Sequence, residues 1–539
     1  MPVVRLYYRD MEELVGASRE RIMSRLAMMG ADIGKSAAQD YVDVEFFPDR
    51  PDLYSAEGVA RALKGFLEIQ LGLVEYDVSP GSIVLDVDPS VYSVRPIIGC
   101  AVVRGLEFND EAIESLMGLQ EDLHWGLGRN RRKVAIGVHD ISKVRPPFKY
   151  LGESPSRRFV PLDFKESMSM KEILEKHPKG RDYGYILKDF DRYPLIVDAD
   201  DNVLSFPPII NGELTRVEHD TSDLFIDVTG TDPIVHKALN IVVTSLAERG
   251  GKIESVLIRR KESDLVSPNL QPLKWSVNAK EANDLIGFDL KPEELARCLE
   301  KMRFGAKVAE GQNVEVLVPA YRADIMHSWD IFEDAAKGYG YENLTLELPK
   351  TVTVGKQNPI EVRKNEIREI MVGLGYLETM PFTLTNEKVH FRQMRRQEQG
   401  ATRVMHPISE LHTILRTSIL SSLLEIFALN QHHSLPQRIF AVGEVVEEKK
   451  TRLHLAVASI HSAAGFAEIR SVADAVLREL AMDAKIEPSD DGAFLPGRRA
   501  DIVSGEKRMG SFGEVHPEVI RSFGLEQLVV GMEIRWGEL

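Results

Sequence analysis

The sequence predicts an α+β protein built as a multidomain chain, on three observations. Its 539 residues suffice for about three to five domains at roughly 100–200 residues apiece. With 43% apolar residues the chain can bury more than one core. Runs with a two-residue apolar period alternate with runs of helical period, and the texture of the mixture changes along the chain.

Residues 1–88 open with a strand-like segment. A helix is predicted over 11–29, where Leu14, Ile22, Leu26 and Met29 recur at near-helical spacing and Gly30 stops it. The proline-punctuated turn Phe47-Pro48-Asp49-Arg50-Pro51-Asp52-Leu53 announces a second helix over 55–69, with Ser55 as cap and Val59, Leu63 and Phe66 on one face. Residues 89–265 form a mixed domain. Short β-like runs at 96–103, 133–138, 193–197, 208–210 and 224–228 are separated by polar turns and by helices at 110–119 and 233–248.

Over residues 268–345, Asn278 with Glu281 makes a capping box, Gly287 ends that helix, and Pro292 with Glu293 and Glu294 starts another. This is a small helical hairpin followed by a sheet. Its mixed charge (Glu293, Glu294 and Glu300 beside Arg297, Lys301 and Arg303) favours packing over nucleic-acid reading. From 350 to 539 helices alternate with long strands. Ser418 caps a helix bearing Leu420, Leu423, Leu424 and Phe427, strands follow at 438–446 and 453–460, and Ile469, Val472, Ala473, Val476 and Leu480 mark another helix. A hairpin turns near Gly505, and a strand at 529–534 is edge or central. There is no fixed-period repeat and no low-complexity block.

With 67 basic and 83 acidic residues the formal charge is −16, which disfavours binding nucleic acid by bulk electrostatics; any RNA contact is expected to be local. Cys100 and Cys298 are too few for a disulfide framework or a cysteine zinc site, and free thiols suit a reducing compartment. Arg5, Arg9 and Asp10 break any secretory signal core. The most apolar stretch, 419–429, falls short of the ~20 residues a bilayer requires. A soluble, cytoplasmic protein without membrane contact is expected.

Asp324, Asp330, Glu333 and Asp334 are the sharpest chemical signal. Positions 330, 333 and 334 share one face of a helix capped by Ser328 and ended by Gly338, and Asp324 precedes it in a loop. Four like charges repel, and a hard cation such as Mg2+ would relieve this through one or two carboxylates. Acids at a helix start also simply complement its macrodipole. Gly30 to Ser36 imitates a phosphate loop but has three residues between its glycines where four are required, and a helix where a strand should precede. Arg129-Asn130-Arg131-Arg132-Lys133 is the densest basic run, either a phosphate-docking loop or a solvated turn. Ser205-Phe206-Pro207-Pro208-Ile209-Ile210-Asn211-Gly212-Glu213 sets a rigid apolar wall beside an amide and a carboxylate, a pocket lining or an ordinary strand end. His432 and His433 are adjacent and point apart, so neither is given a ligand role, and neither a Gly-x-Ser-x-Gly elbow nor a His-Glu-x-x-His pair is present.

The run Pro319-Ala320-Tyr321-Arg322-Ala323-Asp324-Ile325, followed by Asp330-Ile331-Phe332-Glu333-Asp334 and Gly338-Tyr339-Gly340-Tyr341-Glu342-Asn343, resembles the signature of the phenylalanyl-tRNA synthetase beta subunit. The order of modules from 47–61 through 494–518 is similar to the archaeal and eukaryotic cytosolic form. This resemblance implies that Asp324, Asp330, Glu333 and Asp334 are a magnesium site completed by the alpha subunit. It implies an editing domain over 89–265 that hydrolyses tyrosine misattached to the phenylalanine tRNA, with Asn211 and Glu213 as catalytic candidates and Ser205 and Asp227 as substrate-binding ones. A pocket that hydrogen-bonds the extra hydroxyl can select the error, and a bound water can then cleave the ester.

It also implies a class II synthetase-like antiparallel sheet core over 350–539, with 416–430 and 440–447 as its helix and following strand. The sequence reaches Leu539 just past the last strand, so the glycine-rich helix whose arginine holds ATP is not expected, nor an added anticodon-binding domain of bacterial type. ATP and phenylalanine would then be handled by the alpha subunit, in an assembly of two alpha and two beta chains. A non-catalytic RNA-binding scaffold and a stand-alone magnesium-dependent hydrolase are the other readings of the same residues.

Overall fold

The computed structural model describes residues 2–34, 40–346, 348–349 and 351–538; Lys35 and Ser36 of the rejected phosphate loop lie outside the described residues. Two compact units result, Met1–Glu347 and Leu348–Leu539.

In the first unit the single helix predicted over 11–29 is two helices, Tyr8–Val15 and Arg19–Leu26. Gly16 is the reason: at φ +75° it takes the left-handed cap position that a side chain disfavours, and its N–H bonds Glu12 O at 2.9 Å. Ser55 caps Ala56–Phe66 as predicted, its hydroxyl accepting from Gly58 N–H at 3.1 Å, and Val59, Ala60 and Leu63 on that helix are sealed.

An eleven-stranded sheet dominates this unit. From one edge it runs through Ile210–Asn211, Val203–Phe206, Tyr193–Val197, Phe148–Glu153, Val84–Val87, Lys252–Arg259, Ile97–Arg104 and Leu224–Gly230 to Val134–Asp140 at the other edge. Two further short strands, Val78–Ser79 and Leu265–Ser267, branch from Lys252–Arg259, and pairing is antiparallel except where Val84–Val87 lies parallel to both neighbours and Val78–Ser79 lies parallel to Lys252–Arg259. Strand twist accumulates over so many strands, and the sheet curls until its edges meet: Asn211 Nδ2 donates to Val138 O at 3.3 Å. Every residue of Leu224–Gly230 and Val134–Asp140 is buried. Polar side chains there must therefore find partners inside the protein.

The unit ends with a three-stranded antiparallel sheet (Leu273–Asn278, Asn313–Val318, Gly305–Val308) and the helices Ala279–Ile286, Pro292–Lys301 and Ser328–Tyr339. Asn278 accepts from the N–H groups of Lys280 and Glu281, and Gly287 closes its helix at φ +84°. The third helix differs from expectation at both ends. His327 caps it, not Ser328, and Gly340 follows it, not Gly338.

The second unit is a seven-stranded sheet in the order Leu377–Glu378, Gln437–Glu447, Lys450–Ile460, Val529–Glu538, Lys507–Val515, Phe494–Ser504, Lys485–Pro488, antiparallel apart from the first pair. Two-residue alternation splits its core. Phe440, Val442, Leu455 and Val457 pack with helices Pro359–Gly373 and Phe466–Glu479, while Ile439, Ala441, Ala456 and Ala458 pack with Leu420–Leu429. Ser418 does not cap that last helix. Its hydroxyl donates to Glu533 at 2.5 Å, and Glu533, from the strand Val529–Glu538, accepts the N–H groups of Ile419 and Leu420. No helix among the described residues is long and apolar enough to cross a membrane.

Candidate functional site

A cavity of about 230 Å³ opens at the seam where the sheet's edges meet. Asp227 pairs across the sheet with Gly137, and the glycine is what lets its carboxylate through. A Cβ at 137 would stand 2.1 Å from Asp227 Oδ2 and 2.7 Å from His139 Nε2. Through that gap Asp227 Oδ2 meets His139 Nε2 at 2.8 Å, and His139 Nδ1 meets Thr215 Oγ1 at 2.8 Å. A carboxylate only accepts, so Nε2 carries a proton and donates it to Asp227. Oδ1 of Asp227 has no hydrogen-bond partner among the described residues.

The opposite wall comes from the other end of the sheet. Ser205 pairs with Asn211, and its hydroxyl donates to Asn211 Oδ1 at 3.4 Å. Arg131 closes a third side, donating to Ile209 O at 2.9 Å and to Glu121 Oε1 at 2.6 Å, while its buried Nε has no partner among the described residues. Arg129, Asn130 and Arg131 all sit at positive φ (47°, 54° and 64°), a strained run that turns one arginine inward. Arg95 holds the run by donating to Arg131 O and Arg132 O, both at 3.2 Å. His124 accepts Ile136 N–H through Nε2 at 2.8 Å; burial pushes its pKa down to about 4, so it stays neutral.

Ser205, Asn211 and Asp227 thus come together around one cavity. Glu213 does not. It lies outside the lining because Arg216 takes both of its oxygens at 2.9 Å and Asp163 N–H bonds it at 2.8 Å. The Arg216 hydrogen bonds hold its carboxyl below the usual range. A clamped carboxylate of this kind is a poor general base. Sequence reasoning missed Gly137, His139, Thr215, His124 and the inward Arg131. The legible signal was a glycine inside an apolar strand with a histidine two positions on, which alternation puts on the same face.

The acidic group is organised differently from the expected cage. Arg322 lies two residues before Asp324 and binds both of its oxygens, at 2.8 and 2.5 Å, and Asp334 Oδ2 at 2.5 Å. Asp330 Oδ2 accepts the N–H groups of Met326 and His327, both at 2.7 Å, as part of the helix cap. Glu333 points to solvent and pairs with Lys337 at 2.8 Å. Arg50, paired with Asp52 at 2.8 Å, adds a second guanidinium 3.8 Å from Asp334 Oδ1. Burial by itself would lower the pKa of Arg322; Asp334 and Asp324 raise it well above the ordinary arginine value. Arginine has supplied the charge that Mg2+ was expected to supply. Among the described residues no group of three or more His, Cys, Asp or Glu is arranged to hold a metal. Arg322 takes Asp324 and Asp334, Asp330 caps the helix and Glu333 turns to Lys337, so this set does not fit the ion.

Two family models match the chain: tRNA synthetase B5 domain over residues 275–341, and phenylalanyl tRNA synthetase beta chain CLM domain over 344–536. A phenylalanine–tRNA ligase beta subunit of Methanothrix thermoacetophila is 69% identical over 99% of each chain. Those of Methanosarcina barkeri and Archaeoglobus fulgidus are 54% and 52% identical, over at least 98% of either chain. A crystal structure of an N-terminal fragment of the phenylalanyl-tRNA synthetase beta subunit from Pyrococcus horikoshii superposes with a TM-score of 0.60 at 39% identity, covering 63% of this chain and 99% of that one.

Proposed function

Since the chain belongs to the phenylalanine–tRNA ligase beta subunits, we propose that it supports attachment of phenylalanine on an alpha subunit and clears tyrosyl-tRNA at the seam pocket. The observation that carries the second half is the pocket's chemistry. Asp227 lines the cavity and bonds His139 through one oxygen, and its other oxygen is an acceptor that a phenol hydroxyl satisfies and a phenyl ring does not. Asn211 and Ser205 face it, and Asn211 is positioned to orient a water on the ester. The unpartnered Arg131 Nε is a donor for the oxyanion that forms as water attacks. Glu213 serves by fixing Arg216 and the Asp163 turn at the rim.

We assign residues 89–265 to editing and tRNA binding, 268–345 to the helical-hairpin module, and 350–539 to a class II-like core without adenylation chemistry. Leu377, Met380, Phe382, Met405 and Ile408 of the second unit stand exposed. Large apolar side chains in water are what an obligate partner covers, here the alpha subunit in an assembly of two alpha and two beta chains. The working compartment is the cytoplasm. Mg2+ serves ATP chemistry in this family, and no step here is routed through the four acids.

The test is deacylation of tyrosyl-tRNA by the alpha–beta assembly. Asn211→Ala should slow it about a hundredfold, the scale of losing a water-orienting group, with aminoacylation intact. Unchanged deacylation in Asn211→Ala would remove the pocket from the reaction.

A further inference from the structure

His139 is wholly buried, yet neither stability nor the pocket lining explains its two short hydrogen bonds. A buried strand position in an apolar core is filled more simply by valine or isoleucine, as at Val138 and Ile136 of the same strand. Here the strand instead places a glycine at 137 and a histidine at 139, on one face, and the removed Cβ is the space that Asp227 and His139 share. The far nitrogen of the ring is tied to Thr215 at 2.8 Å, so the imidazole cannot turn over without losing both bonds. Phe225 lies against it with ring centroids 6.2 Å apart. The ring is therefore fixed at three points.

Resting on the editing reading above, we propose that His139 is a specificity-determining positioning residue: by donating Nε2–H to one oxygen of Asp227, it holds that carboxylate at the cavity wall with its other oxygen left as the acceptor for a substrate hydroxyl. His139 does not line the cavity and acts through Asp227. Deprived of this donor, a carboxylate 1% exposed loses the one hydrogen bond that fixes it, and it turns away. That removes the acceptor that recognises a phenol, and with it the penalty an unsatisfied carboxylate imposes on a phenyl ring. Discrimination should collapse from both sides, which mere loosening of the fold would not produce.

The experiment uses the complete alpha–beta assembly and compares hydrolysis of tyrosyl- and phenylalanyl-tRNA by wild type, His139→Leu and His139→Gln. Aminoacylation and thermal melting serve as checks on folding. The expected result is a tyrosyl-to-phenylalanyl hydrolysis ratio lowered at least tenfold in His139→Leu, with phenylalanyl-tRNA hydrolysis raised, and largely restored in His139→Gln, whose amide keeps a donor. If His139→Leu folds and keeps the wild-type ratio, the proposal is overturned. If it does not fold, His139→Gln decides alone: loss of discrimination despite the retained donor overturns it, and a retained ratio supports it. Failure of the editing reading shows separately, as a wild-type assembly that hydrolyses neither ester.

Discussion

Asp227 and Asp334 are both sealed from solvent, at 1% and 2% exposure, and their surroundings treat them in opposite ways. Asp227 has one strong partner, a histidine, and lines a cavity. Asp334 shares the Arg322 guanidinium with Asp324 and has Arg50 behind it. The first carboxylate is poised for a ligand. The second is consumed within the protein. Local density of acids is thus a poor guide to function; what matters is how much of each carboxylate's capacity the fold has already used.

The sharpest way to break this contrast is to remove the arginine. Arg322→Met takes from the buried Asp334 and the half-buried Asp324 the guanidinium they share, leaving Asp334 only the more distant Arg50, which should destabilise the protein by about 3 kcal/mol, the low end of the cost of stranding one side of a buried pair. Thermal or denaturant unfolding of the wild type and the variant measures it. Added Mg2+ should not restore the lost stability. Restoration by millimolar Mg2+ would show that the acids do form a cation site and that Arg322 merely shields it.

The pocket side of the contrast carries a pH signature at His124. His124 faces Glu121, Arg131 and Lys179, and burial holds its pKa at about 4 against an ordinary 6.5. The folded protein therefore binds fewer protons at this site than the unfolded chain. Its contribution is fully present above pH 6.5 and is lost as pH falls from 6.5 toward 4, about 3 kcal/mol in all. Protonation also breaks the bond from Ile136 N–H, so the pocket wall should loosen in the same window. His124→Asn, compared with wild type by unfolding at pH 7 and pH 4.5, should flatten this slope. An unchanged slope would place the titration elsewhere.

What the sequence made legible followed from periodicity, and what it hid followed from direction. Tyr193–Val197 was readable because an apolar run bounded by polar turns has few alternatives. Phe148–Glu153 and Lys252–Arg259 escaped because lysine, glutamate and serine are interleaved among their apolar residues. Ser205 and Asn211 stood in a legible proline-bounded apolar segment and Asp227 was reached through family resemblance, whereas His139 and Thr215 needed the curl of the sheet, which no local pattern encodes. Arg131 was visible as charge, but three consecutive positive φ angles decide that it faces inward. The acidic group was read from its acids alone. Its counter-ion, Arg322, stood inside the same motif.

A substitution at Gly137 sharpens the pocket half of the contrast without touching a charge. In Gly137→Ala the new methyl group meets both Asp227 and His139 and forces the tip of Asp227 to swing aside, which strands two buried polar groups, so stability should fall by about 1–3 kcal/mol. The swing takes Asp227 off His139, and hydrolysis of tyrosyl-tRNA should drop about tenfold, the equivalent of roughly 1.4 kcal/mol. Wild-type rates in a folded Gly137→Ala assembly would show that the Asp227–His139 bond is dispensable.

The smallest effect is expected where the acidic group is most exposed, and for that reason it is informative. Glu333 is 59% exposed and pairs with Lys337 one helical turn away, an arrangement worth about 0.3–0.5 kcal/mol in water. If the acids were a metal cage, Glu333 would be its most exposed ligand, because Asp324 and Asp334 are bound to Arg322 and Asp330 caps the helix. Glu333→Gln would then abolish binding of the ion. If arginine is the counter-charge, the same variant should lose no more than about 0.5 kcal/mol and leave the Mg2+ concentration dependence of aminoacylation by the assembled enzyme unchanged. A raised Mg2+ requirement in Glu333→Gln would therefore count against the arginine-centred arrangement even though the change in stability is small.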